Sequence, residues 1–159
     1  MRLRLLMALC AVGLATSASA GTTTVLKTSR TWNGSQIKYF ETKCPEVDAV
    51  IVDIPANAST QLHLHPVNNY AYILEGQVTV QEGELVHGRL VVRKSSTFTK
   101  GQAFAELVNT WHVGKAGPEG VKILVWYTTE VGYPYTVTDL SYQVDANLEG
   151  SSHCLPPKS

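Results

Sequence analysis

Charge is scarce and balanced in this sequence. Thirteen Lys and Arg stand against thirteen Asp and Glu, for a net charge of zero with His neutral. No basic stripe or block occurs, which argues against nucleic acid and an anionic membrane surface as partners. Beyond the first twenty residues no apolar run is long enough to span a bilayer. Segments with a helical period are also missing from the rest of the chain, as are internal repeats and low-complexity linkers. Cysteine is limited to Cys10, Cys44 and Cys154.

What is present begins with "MRLRLLMALCAVGLATSASA", which reads as a secretory signal peptide at 1–20. Arg2 and Arg4 form its basic end, Leu5 to Ala15 its apolar run, and Ala18-Ser19-Ala20 its small-residue cleavage site. The run is too short to cross a bilayer. Leu9, just before Cys10, is not the small residue that a lipid anchor at Cys10 would need. Cleavage near Ala20 sends a mature chain of about one domain, Gly21 to Ser159, to the periplasm or the outside. Two cysteines then remain. Export implies oxidation, so Cys44 and Cys154 are candidates for one disulfide closing most of the mature chain, with an ideal gain of roughly 4–5 kcal/mol. Two free thiols on opposite flanks are the alternative. Asn33-Gly-Ser and Asn57-Ala-Ser are glycosylation sequons, which matter only in a eukaryotic source.

Strand signals dominate the mature chain. "DAVIVDIP", at 48–55, is rich in β-branched residues. "STQLHLH" alternates, with Leu62 and Leu64 on one face and His63 and His65 on the other. "NYAYILEGQVTVQEG" reads as two strands joined by a tight turn at Glu75-Gly76. "RLVVRKSSTFTKGQAFAE" continues the rhythm with Gly101 as punctuation, and "VKILVWYTTE" is a mostly buried strand. The expected fold class is all-β, a single small antiparallel β-barrel or double-sheet jelly roll over residues 45–137. Arms at 21–44 and 138–159 pack on it or trail from it.

The chemistry centres on histidine. Successive side chains on a strand point to opposite faces, so His63 and His65 point the same way and two imidazoles can share one ion. A surface-facing polar pair is the competing reading. His112, in "GQAFAELVNTWHVGKAG", raises the metal reading by supplying a third imidazole. His87 has no partner in these motifs and reads as surface, and His153 as a solvated tail residue. Most of the large aromatics, Tyr72, Trp126 and Tyr127 among them, are expected in the core. Tyr70 and Trp111 flank ligand positions and are candidates for the pocket.

Together the two histidine segments resemble the cupin superfamily, small exported single-domain cupins in particular. The first cupin motif runs Gly, five residues, His-x-His, three or four residues, Glu, six residues, Gly. The second runs Gly, five residues, Pro-x-Gly, two residues, His, three residues, Asn. His63, His65 and Gly76 fall on the first; Gly101 and His112 fall on the second. The resemblance covers about Thr31 to Val137. It implies a bound divalent transition metal (Fe, Zn, Ni, Cu or Mn), a small-molecule ligand or substrate, and a homodimer paired through sheet edges.

The departures are informative. Asn57 stands where the first Gly belongs, and Asn69 where the carboxylate ligand belongs. Leu107 and Asn109 replace the Pro and Gly of the second motif, and Ala116 its Asn. Asn tolerates a left-handed turn, so the Gly losses are mild. The loss at Asn69 leaves three histidines and a neutral amide, a set that suits zinc, copper or ferrous iron and holds hard ions such as manganese less well. Glu106 is the candidate substitute carboxylate. A hairpin centred near Asn109 would make Glu106 and His112 cross-strand neighbours. Glu106 is then either a fourth ligand or a general base just beyond the ligands, against the plain reading of a surface Glu.

Three functions follow. One is a metal-dependent enzyme acting on a small organic molecule in the manner of a dioxygenase or an isomerase. Another is a non-catalytic barrel that holds a metal or small ligand. The third, a barrel that has lost its site, sits badly with three histidines kept at motif spacing.

Overall fold

The computed structural model describes residues 21–143. Residues 1–20, read above as a signal peptide, and His153 and Cys154 lie outside the described residues. Five strands make up the fold: β1 (Pro45–Ile54), β2 (Asn68–Val86), β3 (Arg89–Thr99), β4 (Ala103–Ala105) and β5 (His112–Glu130). Every pairing is antiparallel, in the order β1-β5-β2-β3, with β4 also on β2. No helix occurs among the described residues, and so none there could cross a membrane.

The two 19-residue strands β2 and β5 carry the architecture. Residues 68–73 of β2 pair with 123–128 of β5, and 78–82 pair with 112–116. Alternation along both strands sends Ile73, Val78, Val80, Ile123 and Val125 to one side, where they bury almost completely. Burial of each such side chain is worth about 1.5–3 kcal/mol. Residues from β1, β2, β4 and β5 line one cavity, so the sheet wraps round it. The pairing ends at β1 and β3 and does not close into a full barrel; the all-β fold is a curled, jelly-roll type of sheet.

The turn expected at Glu75-Gly76 is not there. The chain continues through it as one strand, with register breaks between Ile73 and Glu75 and between Gly76 and Val78. The physical reason is a bulge rather than a reversal. Gly76 takes φ +69, and the backbone of Gly120, itself at φ +78, closes against it. Bulges of this kind bend the strand and increase its twist. A Cβ on Gly76 would stand 2.0 Å from the Gly120 carbonyl oxygen, which is backbone and cannot swing away. Gly76→Ala is therefore expected to cost about 3 kcal/mol or more in a urea melt, since it combines a left-handed backbone with a main-chain clash. A loss under about 1 kcal/mol would show that the two strands separate freely at the bulge.

The "STQLHLH" segment is not a regular strand either. Ser59 and His63 form isolated bridges to β5, and Leu64 bridges to Val137, so the pairing changes partner before a ladder can form. The predicted facing survives: Leu64 is fully buried on one side, and His63 and His65 both turn to the cavity. The two asparagines at cupin glycine positions adopt the left-handed conformation expected of them, Asn57 at φ 60 and Asn109 at φ 54. His87 lies exposed in the β2–β3 turn, and Glu75 is exposed with Lys122 at 3.5 Å.

The N-terminal arm is laid against this sheet. Trp32 donates its backbone N–H to Ala105 O at 3.0 Å, and Phe40 donates to Asn68 Oδ1 at 3.0 Å. The Phe40 ring meets that of Tyr133 at 5.1 Å.

Candidate metal centre

His63 and His112 are locked side by side by two backbone hydrogen bonds, His63 N–H to His112 O at 3.1 Å and His112 N–H to His63 O at 2.9 Å. Their rings lie 4.3 Å apart between centroids. His65, two residues on and on the same side, lies 4.9 Å from His63 and 5.0 Å from His112. One ligand atom from each of the three falls within 4.8 Å of the others.

Each Nδ1 is tied to a backbone carbonyl: His63 to Gln61 O at 2.7 Å, His65 to Tyr135 O at 2.8 Å, and His112 to Thr110 O at 2.8 Å. A carbonyl only accepts, so each Nδ1 carries the proton and each Nε2 keeps its lone pair. This is how ligating histidines are ordinarily oriented. Burial, reinforced by the His112 charge, lowers the His63 pKa to about 4. Burial also lowers that of His112 to about 4 and holds His65 well below the usual value. The rings are thus neutral at pH 7 and available as ligands. Three neutral imidazoles with free Nε2 atoms fit a divalent transition ion.

Glu106 reaches the same cavity, though not by the expected route. His112 pairs across to Glu82 and His63, whereas Glu106 donates its backbone N–H to Asn69 O at 3.0 Å. The hairpin centred on Asn109 is wrong because β4 folds back onto β2 instead of onto β5. Glu106 therefore stands across from Asn69, which puts a carboxylate one strand over from position 69. Its Oε1 accepts from the Trp32 indole N–H at 2.6 Å and from the Leu107 N–H at 3.0 Å. Burial raises its pKa, and those two hydrogen bonds and His63 partly oppose the rise. Glu106 lies outside the tight group formed by the three histidines.

The cavity measures about 320 Å³, with an aliphatic wall from β1, β2 and β5 and polar side chains, the histidines among them, over the rest. Asn69 lines it, 2% exposed, with Nδ2 lacking a hydrogen-bond partner. Tyr70 and Trp111 do not line it. Each follows or precedes a lining residue on an extended segment, so alternation turns it to the opposite face; Tyr70 sits near Tyr39 there. Tyr127, a core aromatic, does line the cavity, with its ring 5.4 Å from His65 and stacked on Tyr135 at 4.4 Å. Burial raises its pKa to about 12. Trp32 is the Glu106 partner that the motifs do not reveal. It lies in the arm, far in sequence from Glu106, and no spacing rule connects them.

No family model and no curated protein matches the chain. Solved structures similar to it include the coconut allergen cocosin (20% identity, TM-score 0.45, 53% of this chain and 22% of that one). Lactobacillus farciminis oxalate decarboxylase in a formate complex is similar at 19% identity and TM-score 0.46, over 57% of this chain and 26% of that one. Oxalate oxidase with the substrate analogue glycolate is similar at 17% identity and TM-score 0.47, over 58% of this chain and 45% of that one. The chain thus spans less than half the length of each, and no residue role is carried over from them. Among the described residues the chain is an all-β antiparallel sheet whose three convergent histidines face one cavity.

Proposed function

We propose that this chain is an exported, metal-dependent enzyme acting on a small organic molecule, in the manner of a dioxygenase or an isomerase. The observation that carries the reading is the meeting of three neutral imidazoles, Nε2 free, with one buried carboxylate in a single apolar cavity. His63, His65 and His112 would hold one divalent ion, with Fe, Zn, Ni, Cu and Mn all to be tried. Such an ion supplies Lewis-acid charge and an open position for a ligand. Glu106 would hold or move a proton at the bound molecule. Its raised pKa brings it nearer the range in which a carboxyl group works as acid or base at neutral pH. Trp32 fixes Oε1 by its indole N–H.

Export and a Cys44–Cys154 disulfide belong to the same reading. Cys44 is buried near the start of β1. A homodimer through a sheet edge also belongs to it, supported by β1, which ends the sheet and exposes Val47 and Ile51.

The test is to load untagged mature protein with each metal and screen small carbonyl and carboxylic compounds for products by mass spectrometry, with and without O2. Metal-dependent turnover that disappears in His63→Ala is expected. Metal and ligand binding with no turnover under any metal would leave a non-catalytic binding barrel instead.

A further inference from the structure

The walls of the cavity restrict what it can hold. None of the described residues lining it is Lys or Arg. Its titratable side chains are the three neutral histidines, Glu106 and Tyr127. The remainder sets an aliphatic wall (Val52, Ile54, Val78, Val80, Ile123 and Val125) beside uncharged polar side chains, Thr60, Gln61, Thr136 and Thr138. A second negative charge on the ligand would be buried among hydrocarbon, neutral hydroxyls and amides and a carboxylate, with no cationic side chain to pair it. Burial of an unpaired charge is strongly unfavourable. An apolar body meets a matching surface, and about 320 Å³ is near the small end of ligand pockets, roughly 300–1,000 Å³.

Asn69 adds a polar requirement. It is nine-tenths buried and more, lines this cavity, and has an Nδ2 that no protein group satisfies. Buried polar groups without partners are rare, and each calls for an explanation. An oxygen on the ligand would meet the need. A carboxylate in this position would repel a negatively charged head; an amide attracts it.

We infer that the site takes molecules with a single oxygen-bearing head, neutral or singly negative, and a compact apolar body, and that Asn69 selects them by donating Nδ2–H to the head oxygen. This rests on the reading of the three histidines as a metal centre, where the head is seated.

The experiment uses mature protein loaded with cobalt(II) and two probes with the same 2-oxo acid head. In 4-methyl-2-oxopentanoate the tail is a branched hydrocarbon; in 2-oxopentanedioate it ends in a second carboxylate. Binding is read from the visible cobalt spectrum and by calorimetry. The branched probe is expected to bind at least tenfold tighter. Equal affinity or the reverse order overturns the ligand class. Asn69→Leu is expected to weaken the branched probe about tenfold, the usual scale for a hydrogen bond to a charged group. Asn69→Asp, which keeps the size and polarity of the side chain, is expected to weaken it further by repulsion. Unchanged affinity in either folded variant overturns the role of Asn69. Cobalt uptake without discrimination between the probes defeats this inference alone, whereas failure of the wild-type chain to take up cobalt defeats the metal centre and this inference together.

Discussion

His112→Ala, purified without an affinity tag, is expected to hold less than about a tenth of the metal that the wild-type chain retains. His112 is 2% exposed, its Nδ1 is held by Thr110 O, and its ring lies 4.3 Å from that of His63 and 5.0 Å from that of His65. Removing even a group that only orients a ligand typically costs 10–100-fold in metal affinity, so removing a ligand should cost more than about 100-fold. The backbone bridge between His63 and His112 does not depend on the side chain, so the local pairing should survive. Truncating a buried side chain of this size costs about 2–3 kcal/mol, and circular dichroism must show the variant folded. His87→Ala, in the exposed β2–β3 turn, provides the control and should leave uptake unchanged. Elemental analysis showing equal metal in wild type and His112→Ala would remove the histidine group from consideration as a metal centre.

Much of this site was legible because its parts are local. His63 and His65 share a face by strand alternation, and this held even though their segment forms only isolated bridges. The left-handed asparagines at 57 and 109 were legible because their positions coincide with glycines in the cupin motifs. What the sequence hid was long-range pairing. The turn predicted at Gly76 came from treating a glycine with positive φ as a reversal, when the opposing Gly120 makes it a bulge inside a long strand. Glu106 was found in the cavity for a mistaken reason. A hairpin tip at Asn109 predicts His112 as its neighbour, but β4 pairs with β2, and the neighbour is Asn69. Strand partners depend on the closing of the whole sheet, and no local pattern around Asn109 encodes that choice. Tyr70 and Trp111 were misplaced by proximity in sequence to ligand positions, which on an extended segment means the opposite face. Trp32 had no signal at all, since it reaches Glu106 from an arm bonded to Ala105 of β4.

Glu106→Gln and Trp32→Phe together decide what the carboxylate does. Gln keeps the size of Glu and an oxygen for the Trp32 and Leu107 donors, but it cannot exchange a proton at neutral pH. If Glu106 moves a proton, kcat for the substrate found by screening should fall about 10²–10⁴-fold in Glu106→Gln, the usual contribution of a positioned acid or base. Metal uptake should remain near the wild-type level. If Glu106 is instead a fourth ligand, uptake falls with kcat, and elemental analysis separates the two cases. Trp32→Phe retains most of the packing and removes one of the two donors on Oε1, leaving only Leu107. Both donors favour the ionised carboxylate, so losing one should raise the Glu106 pKa further above its ordinary value. Where the ionised form acts as base, activity on the acid side then requires a higher pH, and the acid limb of the kcat profile moves upward. A purely structural tryptophan would lower the amount of active protein without moving that limb. A profile that stays in place, with kcat unchanged in Glu106→Gln, would make this carboxylate a bystander and leave the three imidazoles as the whole of the working site.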